Sequence, residues 1–280
     1  MSMMIIFALL IVLLLTGMPI SIALGMSVLA FLFFFSNIPI EIVSQRLFTG
    51  LDQFAIMAIP FFILAGAFLT SGGVAHRIVK FATTLVGHFH GGLALSAVLS
   101  CAFFAALSGS SPATVVAIGS IMIPAMVAQG YPKKFGVGVI ATSGGLGILV
   151  PPSIVMIIYA VSTNTSVGQL FIAGIVPGAI MAATLMLVTW IVAKKHKYPT
   201  LPRATLGEVW RAFRDSIWGL LIVVIVIGGI YGGVFTPTEA AAVSAVYAFV
   251  VAVFIYKDLK LSDVPRVLRE SANMSAMLLY

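Results

Sequence analysis

The 280-residue chain is 61% hydrophobic and only 8% charged, against about 25% charged residues in a soluble domain, so a water-soluble globular fold is excluded. The formal net charge of +7 sits in a few short loops rather than on one face, which reads as membrane orientation and not as a nucleic-acid surface. One cysteine, Cys101, within an apolar run, excludes a disulfide framework and a cysteine-based metal centre.

The apolar segments predict an all-α, polytopic transmembrane protein. Met3–Phe35 is one apolar run broken by Gly17-Met18-Pro19. It reads as a single long helix bent at Pro19, with two short helices as the alternative. A mixed stretch, 37–53, leads to a span at Phe54–Thr70, so residues 1–70 form N-terminal scaffold helices. Between 71 and 92, Val74, Ile78, Phe81 and Leu85 recur at helical spacing among His76, Arg77 and Lys80. That pattern predicts an amphipathic arm lying in the membrane interface.

Residues 93–162 carry the irregular elements. Leu93–Leu107 and Ala113–Val127 are apolar arms separated by Ser108-Gly109-Ser110-Ser111-Pro112. Each arm falls short of the roughly 20 residues of a full crossing, which suggests a re-entrant helical hairpin; two short spans joined by an ordinary turn remain the alternative. Phe135–Tyr159 is apolar but interrupted by Ser143-Gly144-Gly145-Leu146-Gly147 and Pro151-Pro152, so it reads as a broken helix with an unwound middle. Further spans follow within 163–256, at Gln169–Ala193, Ile217–Phe235 and Ala240–Ile255. Residues 257–280 are charged, then apolar. With the basic stretch 194–214 on the cytoplasmic side, every other basic cluster falls on that same side.

Two polar, helix-breaking segments at membrane depth are the candidate site. Irregular backbone survives there only when it is buried in protein or lines a cavity, and discontinuous helices of this kind hold substrates and ions near the midplane of secondary transporters. A helix starting at Ser111 with Pro112 in its first turn presents free N–H groups and positive dipole to a carboxylate. The helix ending near Ser108 presents carbonyls to a cation. Ser108, Ser110, Ser111, Thr114 and Ser153 add hydroxyl oxygens, and Gly109, Gly144, Gly145, Gly147, Pro151 and Pro152 shape the breaks. Sodium is expected around Ser108, Ser110 and the Gly145 region. No acidic residue lies inside a confident span, so sodium coupling is favoured over a proton relay. The same lack of a buried base argues against an intramembrane serine protease and against any enzyme. His88 and His90 lack further metal ligands. Thr236-Pro237-Thr238-Glu239 has capping-box spacing, which gives Glu239 a structural role. Trp210 and Trp218 read as interface anchors.

Several segments, in order, resemble one family: Gly17-Met18-Pro19-Ile20-Ser21-Ile22-Ala23-Leu24, Ala58-Ile59-Pro60-Phe61-Phe62, Ser108–Thr114, Ile123-Pro124-Ala125-Met126, Gly147-Ile148-Leu149-Val150-Pro151-Pro152-Ser153, Ala173-Gly174-Ile175-Val176-Pro177-Gly178, and Gly233–Ala242. Together they are similar to the large membrane subunit of tripartite ATP-independent periplasmic (TRAP) transporters. The resemblance implies a sodium-driven elevator carrier built from two inverted repeats, in a bacterial inner membrane. It implies no cofactor beyond sodium as coupling ion. The partners it implies are a small membrane subunit, a periplasmic substrate-binding protein, and a carboxylate substrate such as a C4-dicarboxylate or sialic acid. Family members are longer, so the second hairpin and its ion site are expected beyond this chain, and 257–280 reads as the start of the second arm. The competing reading is a membrane scaffold or export component that does not itself transport.

Overall fold

A computed structural model describes residues 2–35 and 41–279, and every helix below is within them. No strand occurs among the described residues, so the fold is all-α. The chain divides into two compact units, 1–53 and 54–280.

The first unit contains α1 (Ser2–Leu15), α2 (Ile20–Phe35) and α3 (Glu41–Leu51). The expected single bent helix over Met3–Phe35 is therefore corrected to two helices, which contact one another. The cause is local. Gly17 sits at φ +81, a left-handed conformation that ends a helix and that glycine adopts without strain. The Thr16 hydroxyl donates back to Leu13 O, and Pro19 O accepts the Ala23 N–H to start the next helix.

The second unit begins with a 3-10 turn, Phe54–Met57, running into α4 (Ala58–Ser71). Pro60 falls in the first turn of α4, where its missing N–H costs nothing. Helix α5 (Val74–Val86) is strongly amphipathic. It buries Val74, Ala75, Ile78, Phe81 and Ala82 against α6 (Gly92–Ser108) and α12 (Leu206–Tyr231). Helices α6 and α7 (Ser111–Ala128) form the hairpin, with Gly109 and Ser110 as the turn. The broken segment comprises α8 (Lys133–Gly144), the single turn α9 (Leu146–Leu149) and α10 (Ile154–Thr163), bent by 43° across the break. Helices α11 (Val167–Lys195), α12, α13 (Pro237–Val250, extended by a π-turn at Val251–Ile255) and α14 (Val264–Leu279) complete the unit.

Among the described residues, five helices are long and apolar enough to cross a membrane, or six with the bent pair counted as one span. With the family relationship below, the chain is a multi-pass membrane protein. The core has two parts. One holds Phe104, Leu107, Ile118, Met122 and Ile140, between the hairpin arms and α8. The other gathers Ile59, Phe62, Ile157, Phe171 and Val226 from α4, α10, α11 and α12.

Two capping boxes fix helix starts. At Thr236 the backbone N–H donates to Glu239 Oε2 (2.8 Å) and the Glu239 N–H donates to Thr236 Oγ1 (3.3 Å), as the spacing predicts. An equivalent box at Thr205 and Glu208 starts α12. Helix α12 thus begins well before Ile217, inside the basic stretch expected to be a loop. Trp210 and Trp218 are both exposed on it, as interface anchors would be. On α5, Arg77 pairs with Asp258 and lies 3.8 Å from the centre of the Tyr256 ring, while Lys80 reaches Asp215 at 3.5 Å. Burial raises the Tyr256 phenol above its usual range, and its hydroxyl donates to Asp215 O (2.7 Å).

Candidate functional site

The hairpin tip is built by a glycine cap followed by an extended residue. Gly109 at φ +60 caps α6, and its N–H donates to Ala105 O (2.9 Å). Ser110 is extended (φ −134, ψ 123) and acts as the N-cap of α7, with Pro112 in the first turn. The Thr114 N–H and hydroxyl both donate to Ser110 O (3.0 and 2.8 Å). The Ser108 and Thr114 hydroxyls bond across the turn at 3.2 Å. The tip is therefore a self-bonded turn.

The break in the second segment is Val150-Pro151-Pro152-Ser153. Val150 and Ser153 are extended, whereas Gly145 stays right-handed helical and residues 146–149 complete a helical turn. Of the two interruptions expected in this segment, the one at Pro151-Pro152 is where the helix ends: two prolines remove successive donors and Val150, before the first, is pushed to extended backbone, whereas the glycine run 144–147 stays close to helical. Only Gly145 marks a slight interruption between α8 and α9.

Tip and break interlock. The Ile154 N–H donates to Gly109 O (3.1 Å), so the first free donor of α10 is satisfied by the hairpin turn. A Cβ on Gly109 would lie 2.7 Å from Pro152 O. A Cβ on Gly147 would lie 2.7 Å from Ser111 N and 2.8 Å from Ser110 C, and one on Gly144 would collide with Val115 Cγ2. These absent side chains allow α9 to press backbone to backbone on the start of α7 and α8 to close on the Val115 side chain. Among the expected residues, the structure thus gathers Ser108, Gly109, Ser110, Ser111, Thr114, Gly144, Gly147, Pro152 and Ser153, with Pro151 buried beside Pro152. Gly145 stands apart: the nearest side-chain atom to a Cβ there is Met181 Cε, 3.6 Å away on α11.

The polar groups divide into satisfied and orphaned. Ser108 and Thr114 are bonded within the tip, but the buried hydroxyls of Ser111, Ser143 and Ser153 have no hydrogen-bond partner among the described residues, nor does Ser100 midway along α6. Leaving a buried hydroxyl unmade costs about 1–3 kcal/mol each, and Ser111 and Ser153 flank the one interlock. The groups around the interlock are neutral: hydroxyl oxygens and the carbonyls closing α6 and α9 as acceptors, and the N–H groups opening α7 as donors. Among the described residues no three His, Cys, Asp or Glu side chains converge to hold a metal ion. Such an oxygen set suits a hard, singly charged cation, and the α7 start suits a carboxylate.

Sequence reasoning missed the walls of the site. A Cβ on Gly66 of α4 would lie 3.2 Å from Ser108 Cα, and one on Gly174 of α11 would lie 2.7 Å from Leu149 O. Gly174 and Gly178, spaced by four on one face of α11, back the break. Small residues at that spacing are the signal for close helix approach in membranes. Ser143 was legible within the glycine run but gave no separate signal.

The family model for the tripartite ATP-independent periplasmic transporter, DctM component, matches residues 7–280. The chain is 63% identical to the C4-dicarboxylate TRAP transporter large permease protein DctM of Rhodobacter capsulatus, covering 100% of this chain and 67% of that protein. It is 53% identical to the protein of the same name in Pseudomonas aeruginosa, covering 92% of this chain and 60% of that one. It is 39% identical to the sialic acid TRAP transporter large permease protein SiaM of Vibrio cholerae, covering 95% and 62%. The chain thus spans about three-fifths to two-thirds of the length of these relatives, and over that span it belongs to the DctM family of TRAP transporter large permeases.

Proposed function

We propose that this chain forms part of the large transmembrane subunit of a sodium-coupled, binding-protein-dependent importer of organic acids that works by an elevator motion in a bacterial inner membrane. The observation that carries the reading is the interlock of hairpin tip and broken helix, with the orphaned hydroxyls of Ser111 and Ser153 beside it. Sodium is a hard cation satisfied by hydroxyl and carbonyl oxygens. No carboxylate or histidine is among the groups that form the interlock, which favours sodium over a proton. The N–H groups opening α7 would then take one carboxylate of the substrate.

A C4-dicarboxylate is the favoured cargo. Relatives named for C4-dicarboxylates match at 63%, 53% and 51% identity, and a relative named for sialic acid at 39%. A periplasmic binding protein delivers the substrate and a small membrane subunit braces the scaffold. The tip packs against α4, α8 and α9, the condition under which irregular backbone is tolerated at membrane depth; this favours a re-entrant hairpin, although α7, at 18 residues, is by itself long and apolar enough to cross.

The test is uptake in proteoliposomes. The full-length permease is reconstituted with its small subunit and binding protein, and labelled succinate is offered with and without an inward sodium gradient. Uptake requiring both sodium and the binding protein is expected. Uptake indifferent to sodium would refute the coupling, and uptake without the binding protein would refute the tripartite reading.

A further inference from the structure

A cavity of about 290 Å³ opens beside the hairpin tip, between α4, the start of α7 and α14. Its polar lining includes Thr70, Ser108, Ser110, Ser271 and Glu270. Three of these are already satisfied. Thr70 donates to Gly66 O at 2.7 Å, Ser271 to Val267 O at 2.8 Å, and Ser108 bonds Thr114. Glu270 differs. It is exposed and forms no hydrogen bond or ion pair among the described residues; Arg266 and Arg269 share its helix, but no Lys, Arg or His lines the cavity with it.

The position of Glu270 is set by its helix. Val267, Ser271 and Ser275 form the buried stripe of α14, which rests on α4. Glu270 and Met274, one turn apart, sit beside that stripe and form the wall facing Ser108, Ser110 and Pro112. The remaining lining is largely apolar (Ile63, Ala67, Val116), but Glu270 itself is exposed, so its charge acts across the cavity through a water-like dielectric. An unpaired carboxylate so placed lowers the free energy of a cation entering the cavity and raises that of an anion. For a carrier of dianions this is a cost unless a cation arrives first.

We propose that Glu270 is a positioning residue that draws the coupling cation into the cavity beside Ser108 and Ser110 and, while unscreened, holds off the anionic substrate. This rests on the sodium-coupled reading above and adds an entry route and a binding order to it. The inferred ligand is a monovalent hard cation, held loosely at Glu270 and then passed to the neutral oxygens of the tip. A unit charge acting across roughly 8 Å at an effective dielectric of about 40–80 changes cation affinity by about two- to sixfold.

The experiment uses the full-length permease with its small subunit and binding protein in proteoliposomes. Succinate uptake is measured against sodium concentration, with choline holding ionic strength constant. Glu270→Gln is expected to raise the sodium concentration for half-maximal uptake about two- to sixfold at unchanged maximal rate. Glu270→Asp, which keeps the charge, should stay near wild type, and so should Asp263→Asn, a carboxylate outside the cavity. If Glu270→Gln fails to fold, Glu270→Cys decides the matter. A negatively charged thiosulfonate should restore the low half-saturation and a positively charged one should raise it further, with Cys101 buried out of reach. An unchanged half-saturation in Glu270→Gln, with wild-type uptake still sodium-dependent, would overturn this inference alone. Wild-type uptake that ignores sodium would instead overturn the coupling on which it rests.

Discussion

Replacing Gly147 by Ala puts the interlock to a quantitative test. A Cβ at that position would stand 2.7 Å from Ser111 N, 2.8 Å from Ser110 C and 3.0 Å from Ser110 O. Comfortable carbon contacts begin near 3.5 Å, so tip and α9 must separate by roughly 0.5–1 Å. All three obstructing atoms are backbone, held by the Thr114 and Ile154 hydrogen bonds, so no side chain can swing away. Overpacking of this kind costs about 1–3 kcal/mol, offset by about 0.5–1 kcal/mol gained from removing a glycine from a helical turn. The net expectation is a destabilisation of about 1–2 kcal/mol. The effect on sodium should be larger than on stability, because a binding constellation tolerates only about 0.5 Å of misplacement. Gly138→Ala is the control: it lies on α8 with nothing within 4 Å of its Cβ, so it should be neutral or slightly stabilising. Unfolding in detergent and the sodium dependence of succinate uptake, measured on both full-length variants, decide the point. Wild-type stability and sodium dependence in Gly147→Ala would refute the backbone-to-backbone contact.

Ser111→Leu should abolish sodium-dependent uptake while leaving expression intact, since it replaces an orphaned hydroxyl at the interlock by a bulky apolar group; unchanged uptake would remove Ser111 from the site. Thr236→Ala should lower stability by about 1 kcal/mol by deleting the N-cap of α13, whereas Glu239→Gln, which can still bond the Thr236 backbone, should cost less and leave transport intact. Loss of uptake at normal stability in Glu239→Gln would make that carboxylate functional. Arg77→Gln should cost about 1 kcal/mol, by loss of the half-exposed Asp258 pair and the Tyr256 ring contact, and the difference from wild type should shrink in high salt.

Breaks that glycine and proline impose by themselves were readable from the chain. The Ser108–Pro112 turn, the interruption ahead of Ser153 and the capping box at Thr236 each follow from what those residues do to the local backbone. Positions decided by what lies opposite were not. Gly145 and Gly147 are indistinguishable in the run Gly144-Gly145-Leu146-Gly147, yet only Gly147 meets the tip and Gly145 turns to Met181. The Pro19 region looked like a kink because a proline within an apolar run usually bends a helix. The left-handed Gly17 ahead of it ended the helix instead. Helix α12 reaches back to Leu206 because Thr205 and Glu208 form a capping box that the surrounding positive charge concealed. Glu270 gave no signal at all, since its meaning depends on α14 lying against α4 beside the tip.

The most direct test of the central claim is equilibrium binding of radioactive sodium to the purified full-length permease, wild type against Ser153→Leu. The interlock at Gly109, Ser111 and Ser153 predicts saturable sodium binding to the wild type that weakens by at least about tenfold, or loses one site, in the variant. Equal binding by both proteins would show that sodium is held elsewhere and that the interlocked tip and break serve only to join the helices.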